Sequence, residues 1–374
     1  MLNVAVIFGG VSCEHDISII TGEQLISYCD DGRYNVIPIY IDKSGMWWTG
    51  DNLKDIDNFK VSLRKSKQCS ILPCSNELFL LKGKKCKSYV KIDVAILCLH
   101  GKNGEDGAIP ALLELSQIPY SSCGISASAI CLDKGICKKM CKAIDIPVVR
   151  GNVVSENCWS NKDDLLQCVN DLDFPVILKP CRLGSSIGIS ICKNECEFEN
   201  RLLDAFKYDD CVLIENFVDI EKEINIAVFD DKGEIVFSDT EEPVRHDEIL
   251  SFDEKYRKNS GGFEAIKRIS PAIISEDLER KIKSLAEKCY RNFNLFGIVR
   301  FDFILDKAGN LYLNEINTIP GSMANYLFDR EKYSYRKLID IMISNAIHRR
   351  KLNDKLIKTI DTDVIENDFD GFKK

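Results

Sequence analysis

Residues 299–317 constrain the fold of this chain more than any other segment. Two stretches with the alternating pattern of β-strands flank Asp306-Lys-Ala-Gly309, a sequence typical of a hairpin turn. We expect Leu305 to pair with Asn310, which makes the segment an antiparallel hairpin. A sheet that contains this hairpin must therefore form late in the chain, with one face against a core.

The two faces of the predicted hairpin differ in chemistry, because neighbouring side chains of a strand point to opposite sides. In the expected register, Arg300 lies opposite Glu315. Asp302 then lies opposite Leu313. The mainly polar face contains Arg300, Asp302, Leu313, Glu315 and Asn317. The aromatic face contains Phe301, Phe303 and Tyr312, which predicts a core beneath it.

The polar face has the chemistry of a metal and phosphate site. Asp302, Glu315 and Asn317 carry hard oxygen donors, which magnesium prefers when a substrate phosphate completes its shell. Arg300 beside them could hold a phosphate or a developing oxyanion. The alternative is an ordinary solvated sheet face with a cross-strand Arg–Glu pair. The turn that follows, Thr318-Ile-Pro-Gly321, offers a backbone amide and favours the functional interpretation.

A second segment has features of a phosphate-holding loop. Lys179 stands at the end of a predicted strand and is followed by Gly184-Ser-Ser-Ile-Gly188, whose amides and hydroxyls could surround phosphates. The Gly-Lys-Ser order of a P-loop is missing, so a flexible turn with a solvated lysine is the alternative. Gly9-Gly10 is a weaker signal, since it lacks the dinucleotide-binding spacing.

The chain has 374 residues, which exceeds the roughly 250 to 300 at which single cores stop growing, so we expect several domains. Hydrophobic periodicity predicts a mixture of α/β and α+β units. Strands are predicted at residues 4–8, 35–41, 94–99, 148–154, 176–179, 187–192, 212–215, 223–229 and 234–237. Helices are predicted at residues 16–28, 107–117, 126–143, 162–169, 276–293 and 335–348.

These elements suggest an N-terminal α/β domain at residues 1–121 and a central unit at 122–214. A C-terminal unit at 215–350 would carry the acidic hairpin, and 351–374 would be a charged, flexible tail. The shape of the polar segment 44–91 is not predicted. The long loop at 241–262 is expected to be functional, because loops of that length are uncommon inside compact domains.

Composition narrows the class of protein. The net charge is −8 and no basic stripe is present, which disfavours a nucleic-acid partner. No apolar run approaches the roughly 18 residues of a membrane span and no leader pattern precedes the first strand, so we expect a cytoplasmic protein. The 17 cysteines are odd in number, which favours reduced thiols. Zinc ligation by Cys137 with Cys141, or by Cys192 with Cys196, is the alternative to a core role.

Taken together, seven segments in order resemble the D-alanine:D-alanine ligases of the ATP-grasp superfamily, from about residue 4 to residue 327. They are Phe8-Gly-Gly-Val-Ser-Cys-Glu-His-Asp-Ile-Ser18, Leu99-His-Gly-Lys-Asn-Gly-Glu-Asp-Gly107, Cys131-Leu-Asp-Lys134, residues 179–188, Asp253-Glu-Lys-Tyr256, Arg300-Phe-Asp302 and Asn314-Glu-Ile-Asn-Thr-Ile-Pro-Gly321. The resemblance implies an ATP-grasp fold behind an N-terminal parallel-sheet domain that binds substrate.

The resemblance also implies roles for individual residues. ATP would be bound by Lys134, Lys179, Gly184, Ser185, Ser186, Glu215, Val218, Glu223, Phe303 and Asn314. Two magnesium ions, or manganese in their place, would be bound by Asp302, Glu315 and Asn317. The amino-acid substrates would meet Glu14, His100, Tyr326 and Leu327, with Ser185 and Tyr256 steadying Glu14. Lys255 would reach the γ-phosphate, and Arg300 and the Gly321 amide would stabilise the oxyanion.

The implied reaction joins two D-alanines at the expense of ATP, through an acyl-phosphate, for synthesis of peptidoglycan precursors. Family analogy suggests a homodimer with small-molecule partners only. The chain departs from many members at Leu183, at Pro110-Ala111 and at Tyr326, where a serine is common near the second substrate. A D-alanyl-D-serine ligase or another ATP-grasp carboxylate–amine ligase is therefore an alternative. A catalytically silent nucleotide-binding regulator is a further one, although the retained Asp302, Glu315 and Asn317 speak against it.

Overall fold

The computed structural model describes residues 1–29, 32–55, 63–158, 167, 169–244 and 267–362. Within these residues the strands form three sheets of seven, four and five strands. None of the helices in the described residues combines the length and the apolar character that a membrane span requires.

The first sheet has a parallel centre and an antiparallel extension, in the order β6-β5-β4-β3-β2-β1-β7. Its strands are β1 (Leu2–Gly9), β2 (Tyr34–Ile41), β3 (Trp47–Thr49), β4 (Lys67–Ile71), β5 (Glu77–Lys82), β6 (Lys85–Lys91) and β7 (Val94–Leu97). β1 pairs in parallel with β2 and β7, which confirms the predicted α/β unit. The segment without a predicted shape supplies β3 to β6.

Helices on this sheet bury its apolar central strands. α1 (His15–Cys29) follows β1, and α2 (Ala108–Leu115) follows β7. Val4 to Phe8 are fully buried, as continuous apolar runs in a parallel sheet should be. Since β1 and β7 are parallel, their carboxyl ends lie at one edge, and this edge positions both Glu14 and His100.

The second sheet is antiparallel, with the order β10-β9-β11-β8. It contains β8 (Gly151–Ser155), β9 (Val176–Pro180), β10 (Ser190–Cys192) and β11 (Cys211–Asn216), with α5 (Glu195–Phe206) packed on it. Sequence periodicity did not predict α5. The predicted helix at 162–169 falls mainly outside the described residues.

The predicted helical stretch at 126–143 forms two helices, α3 (Ile125–Leu132) and α4 (Lys134–Ala143). Asp133 separates them because its backbone is extended and its side chain accepts a hydrogen bond from the Ile136 amide, which caps α4. This break sets the direction of α4 and therefore of Lys134 at its first turn. Cys137, Cys141 and Cys192 are buried, as predicted for core residues, whereas Cys196 is exposed.

The third sheet is antiparallel, with the order β14-β13-β12-β15-β16. Its strands are β12 (Ile220–Asp231), β13 (Glu234–Pro243), β14 (Arg268–Ile269), β15 (Val299–Asp306) and β16 (Leu311–Asn317). α6 (Glu276–Asn292) packs on it, with Ser275 as its N-cap. The aromatic face of the hairpin contributes Phe301 and Phe303 to the core beneath this sheet, as predicted.

The predicted register of the hairpin is wrong. Leu305 pairs with Leu311, because the turn is closed by hydrogen bonds between Asp306 and Asn310. A β-bulge then adds Asn314 to the second strand, so Asp302 lies opposite Glu315.

The one-residue shift at the turn also changes two predicted side-chain positions, which lie between the turn and the bulge. Leu313 lies opposite Phe303 and belongs to the core, although it was expected on the polar face. Tyr312 lies opposite Ile304 instead of joining the aromatic face, and its hydroxyl is 3.5 Å from the Asp306 carboxylate. The polar residues that lie beyond the bulge keep their predicted face.

α7 (Tyr335–Asn353) returns the chain to the first sheet, where its apolar side joins the core of that sheet. The helix runs past the predicted end at residue 348. Arg349 donates hydrogen bonds to the carbonyl oxygens of Ser122 and Tyr120, at 3.0 and 2.9 Å. The guanidinium therefore links the C-terminal helix to the connection between the first two sheets.

Candidate active site

A cavity of about 260 Å³ lies where the three sheets meet. Its lining includes most of the residues that the sequence singles out: Glu14, His100, Lys134, Lys179, Gly184, Ser185, Ser186, Glu215, Val218, Glu223, Arg300, Asp302, Phe303, Asn314, Glu315, Asn317, Gly321 and Tyr326. Leu327 is not brought to the lining, since it is buried in the core next to Tyr326. Lys255 and Tyr256 lie outside the described residues.

The acidic end of the cavity is built by the hairpin. Arg300 donates two hydrogen bonds to the Asp302 carboxylate, at 2.7 and 2.8 Å. Asn317 donates a third to the same carboxylate, at 2.9 Å. Burial alone would lower the pKa of Arg300, but the adjacent Asp302 charge raises it well above its usual range. The guanidinium is thus permanently charged and is held in one orientation.

Glu315 on the neighbouring strand pairs with a lysine from another element. Lys134 Nζ lies 3.2 Å from a Glu315 carboxylate oxygen and also donates to the Leu183 carbonyl oxygen, at 2.7 Å. Burial would lower the pKa of Lys134, but the charge of Glu315 outweighs this effect and raises it. Lys134 therefore connects the acidic hairpin to the loop that follows β9.

The donor set at this end fits magnesium that arrives with phosphate. Two carboxylates and one amide face the cavity, and the described residues hold no cluster of three His, Cys, Asp or Glu side chains suited to a metal ion. Magnesium sites in phosphate-using enzymes are commonly of this kind, with one or two carboxylates and with substrate oxygens completing the shell. Asp302, Glu315 and Asn317 are the residues that would hold it.

The loop formed by Gly184, Ser185 and Ser186 lies over the part of the cavity that Glu14 lines. Ser185 donates a hydrogen bond to Glu14 across 171 residues of sequence. A Cβ on Gly184 would lie 2.8 Å from a Glu14 carboxylate oxygen, so a larger residue at this position would displace the Glu14 side chain. Ser185 and Ser186 both have left-handed backbone angles, with φ of 53° and 59°. The loop is therefore held in a strained turn against Glu14.

The other end of the cavity holds a buried group of alternating charges. Lys179 Nζ lies 2.8 Å from one Glu215 carboxylate oxygen and 3.1 Å from Oδ1 of Asn314. The bulge that adds Asn314 to the hairpin thus serves to place its amide beside Lys179. Lys138, which sequence reasoning did not select, binds the second oxygen of Glu215. Its spacing of four residues from Lys134 on one helix was the available signal.

A second network holds the turn after the hairpin. The Glu105 carboxylate, buried and unselected by sequence reasoning, accepts hydrogen bonds from the amides of Gly101 and Ile319, at 2.9 and 3.0 Å. Burial, and then the charge of Glu14, raises the pKa of Glu105 to about 8. Glu105 lies inside the 99–107 motif, so its position was visible in the sequence although its contact was not.

Thr21 extends this network to the residue after Gly321. Its Oγ1 lies 2.9 Å from His100 Nε2 and accepts a hydrogen bond from the Ser322 amide, at 3.3 Å. Burial lowers the pKa of His100 to about 4, so the ring is neutral near pH 7. Ser322, Met323 and Ala324 have φ of 51°, 51° and 48°, a left-handed run that costs roughly 1–2 kcal/mol per residue. The hydrogen bonds from the N-terminal unit offset this strain.

Substitution of Thr21 tests whether the network positions the turn. Thr21→Val should lower kcat about tenfold, because the Ser322 amide and His100 lose a buried partner and the turn relaxes. Thr21→Ser keeps the hydroxyl and should stay within about twofold of the natural protein. Steady-state kinetics with thermal unfolding of both variants measures this. Equal kcat values for the valine and serine variants would show that the turn does not depend on Thr21.

The far side of the cavity is closed by Tyr326. Its hydroxyl donates a hydrogen bond to Glu241, at 3.3 Å, and the Arg268 guanidinium lies 4.5 Å from its ring centroid. Burial raises the pKa of Tyr326 to about 12, so the hydroxyl is neutral in ordinary buffers. Tyr326 is thus a fixed wall beside Arg300.

Two antiparallel sheets enclose a cavity that is lined by lysines and carboxylates, and an α/β unit precedes them in the chain. This arrangement defines the ATP-grasp fold. Comparison with known proteins identifies the family within this fold. A model of the D-ala D-ala ligase N-terminus matches residues 3–123, and a model of the D-ala D-ala ligase C-terminus matches residues 140–344. The chain belongs to the D-alanine–D-alanine ligase family, whose members are ATP-dependent.

Similar proteins match this chain along almost its whole length. The D-alanine–D-alanine ligase of Thermosipho africanus is 39% identical over 370 residues, covering 98% of this chain and 99% of that protein. The D-alanine–D-alanine ligase of Caldicellulosiruptor bescii is 38% identical, covering 94% of this chain and 96% of that protein. The solved D-alanine–D-alanine ligase of Coxiella burnetii is 27% identical with a TM-score of 0.81, covering 96% of this chain and 97% of the other.

Proposed function

We propose that this protein joins two D-alanine molecules into D-alanyl-D-alanine at the expense of ATP, for use in peptidoglycan precursors. The observation that carries the proposal is that one cavity brings together the Arg300 guanidinium, the carboxylates of Asp302 and Glu315, two lysines and the Glu14–Ser185 pair. Such a cavity can hold a triphosphate and an amino acid side by side. Family membership supplies the substrate class.

In the first step, a carboxylate oxygen of one D-alanine attacks the γ-phosphorus of ATP. The bond from that phosphorus to the oxygen of ADP breaks, which leaves an acyl-phosphate and ADP. Lys134 and Lys179 would hold the phosphates, with Gly184, Ser185 and Ser186 over them. Glu14 would receive the ammonium group of the amino acid. Catalysis of this kind depends mainly on positioning and on charge stabilisation.

In the second step, the free amine of another D-alanine attacks the carbonyl carbon of the acyl-phosphate. The tetrahedral oxyanion would be stabilised by Arg300 and by the Gly321 amide. Collapse of this species breaks the bond between the carbon and the phosphate oxygen, which releases inorganic phosphate and completes the peptide bond. The nitrogen gives up one proton, which passes to the departing phosphate or to solvent. The network of Thr21, His100 and Glu105 would hold the turn that carries the Gly321 amide.

The proposed metal site consists of Asp302, Glu315 and Asn317, for two magnesium ions or manganese in their place. When bound, the metal would neutralise phosphate oxygens as charge develops on them. Arg300 orients the Asp302 carboxylate through two hydrogen bonds, and Lys134 pairs with Glu315.

The remaining assignments are carried by position in the cavity and by the family resemblance. Val218, Glu223 and Phe303 line the cavity together with Glu215 and are proposed to bind adenine and ribose, with Asn314 beside Lys179. His100 and Tyr326 are proposed to contact the amino acids, with Leu327 supporting Tyr326 from the core. Lys255 and Tyr256 keep their proposed roles at the γ-phosphate and at Glu14.

A homodimer in the cytoplasm is proposed on the family resemblance and on the state of the cysteines. The chain has 17 cysteines, and a reducing compartment keeps such side chains as thiols. The proposed partners are small molecules only, ATP and D-alanine.

Phosphate release tests the proposed reaction. The protein is incubated with ATP and magnesium, first with D-alanine alone and then with D-alanine plus D-serine or D-lactate. Release that needs only D-alanine, with D-alanyl-D-alanine as the product by mass spectrometry, is expected. Release that requires D-serine or D-lactate would replace the second substrate, and a lack of release under all conditions would contradict the enzyme assignment.

A further inference from the structure

A buried lysine stands behind the proposed nucleotide end of the cavity without lining it. Lys138 is 6% exposed and its Nζ binds Oε1 of Glu215, which is itself fully buried. The other carboxylate oxygen of Glu215 lies 2.8 Å from Lys179 Nζ. One carboxylate is therefore shared between a lysine that faces the cavity and a lysine that does not.

The energetics of this group depend on both lysines. Burial alone would raise the pKa of Glu215, but the charges of Lys138 and then Lys179 lower it to about 2. Burial lowers the pKa of Lys138, and the Glu215 charge opposes part of that shift. Loss of Glu215 would leave two buried lysines uncompensated, which is costly, whereas loss of Lys138 would leave Glu215 paired with Lys179 alone.

The surrounding backbone fixes Glu215 in place. It lies on β11 opposite Ile177 of β9, two residues before Lys179. On the other side, a Cβ at Gly151 would lie 2.8 Å from the Glu215 Cγ, so β8 presses directly against this side chain. Glu215 has little room to move, and its two oxygens are aimed separately at Lys138 and at Lys179.

We propose that Lys138 is a positioning residue for nucleotide binding, acting through Glu215 on Lys179. By occupying one oxygen of Glu215, Lys138 leaves the group with a net positive charge and allows Lys179 to direct that charge into the cavity. Without Lys138, the full carboxylate charge falls on Lys179 and cancels it. The inference rests on the proposed function, since it requires that a nucleotide phosphate meets Lys179.

The test compares Lys138→Met with Lys139→Met, an exposed neighbour on the same helix. Lys138→Met should raise the Kd for ADP and the KM for ATP about tenfold, while the KM for D-alanine changes less than about twofold. Lys139→Met should leave all of these constants unchanged. Lys138→Gln, which keeps a hydrogen-bond donor without charge, provides a second variant if the methionine variant folds poorly.

A double-mutant cycle separates positioning from general support of the fold. In the Glu215→Gln background no carboxylate remains to neutralise Lys179, so adding Lys138→Met should change the ADP Kd less than about twofold. If Lys138→Met or Lys138→Gln binds ADP as tightly as the natural protein, or if the loss is as large in the Glu215→Gln background, the proposed role is wrong. Failure of the natural protein to bind ADP at all would instead contradict the proposed function.

Discussion

The Glu315→Gln variant is expected to lose turnover by roughly a thousandfold or more while it remains folded. The substitution preserves the shape of the side chain but removes the negative charge that faces both Asp302 and Lys134. Under the proposed function, this charge holds the metal that neutralises the triphosphate. Glu315 is 26% exposed, so its loss should affect catalysis far more than stability.

The measurement is phosphate release at saturating ATP, magnesium and D-alanine, with thermal unfolding as the check on the fold. Glu234→Gln is the matched control, because Glu234 is an exposed carboxylate on β13 of the same sheet and does not line the cavity. The control should retain full activity. Turnover of the Glu315 variant within about twofold of the natural protein would show that the acidic hairpin is not the reaction centre.

The Arg300→Lys variant is expected to lose about a hundredfold in kcat, with a smaller change in the KM for ATP. The Arg300 guanidinium makes two hydrogen bonds to Asp302, and it is proposed to present another N–H to the oxyanion. An ammonium group keeps the charge but cannot make the planar two-point contact. The loss should therefore appear in the transition state more than in ground-state binding.

Steady-state kinetics with each substrate varied separately measures this effect. Arg280→Lys on α6 is the control, since Arg280 pairs with Asp277 at the surface, with 75% of its side chain exposed. We expect no change for that variant. An Arg300→Lys enzyme that loses ATP affinity but keeps its kcat would assign Arg300 to nucleotide binding and would remove it from the oxyanion.

The acidic hairpin shows which side-chain positions a local sequence pattern can predict. The predicted register was wrong, yet Arg300, Asp302, Glu315 and Asn317 were placed on the correct face. The turn shifted the pairing by one residue and the bulge by another, and an even total shift preserves the face. Leu313 lies between the turn and the bulge, where the shift is odd, so its predicted position failed.

Contacts between distant segments could not be predicted in the same way. Ile319 and Glu105 are 214 residues apart, and no periodicity links them. Lys138 lies within the helix predicted at 126–143, and its partner Glu215 was assigned to ATP binding because of the resemblance. Only the three-dimensional structure shows that the carboxylate of Glu215 is already shared by two lysines.

The N-terminal sheet was predictable in its centre and not at its edge. Continuous apolar runs such as β1 identify buried parallel strands, because both faces are covered. β6 is almost entirely exposed and carries lysines, so its sequence resembles that of a loop. An edge strand of this kind is stabilised by pairing with its neighbouring strand, and a local sequence pattern carries no information about that pairing.

Transfer of isotopically heavy oxygen from D-alanine to phosphate would show whether an acyl-phosphate forms in this cavity. D-alanine labelled in both carboxylate oxygens is incubated with the protein, ATP and magnesium, and the released phosphate is analysed by mass spectrometry. We expect each released phosphate to carry one heavy oxygen, because the attacking carboxylate oxygen leaves with it. Phosphate released without label, while the dipeptide forms, would contradict an acyl-phosphate and with it the proposed chemistry of the site.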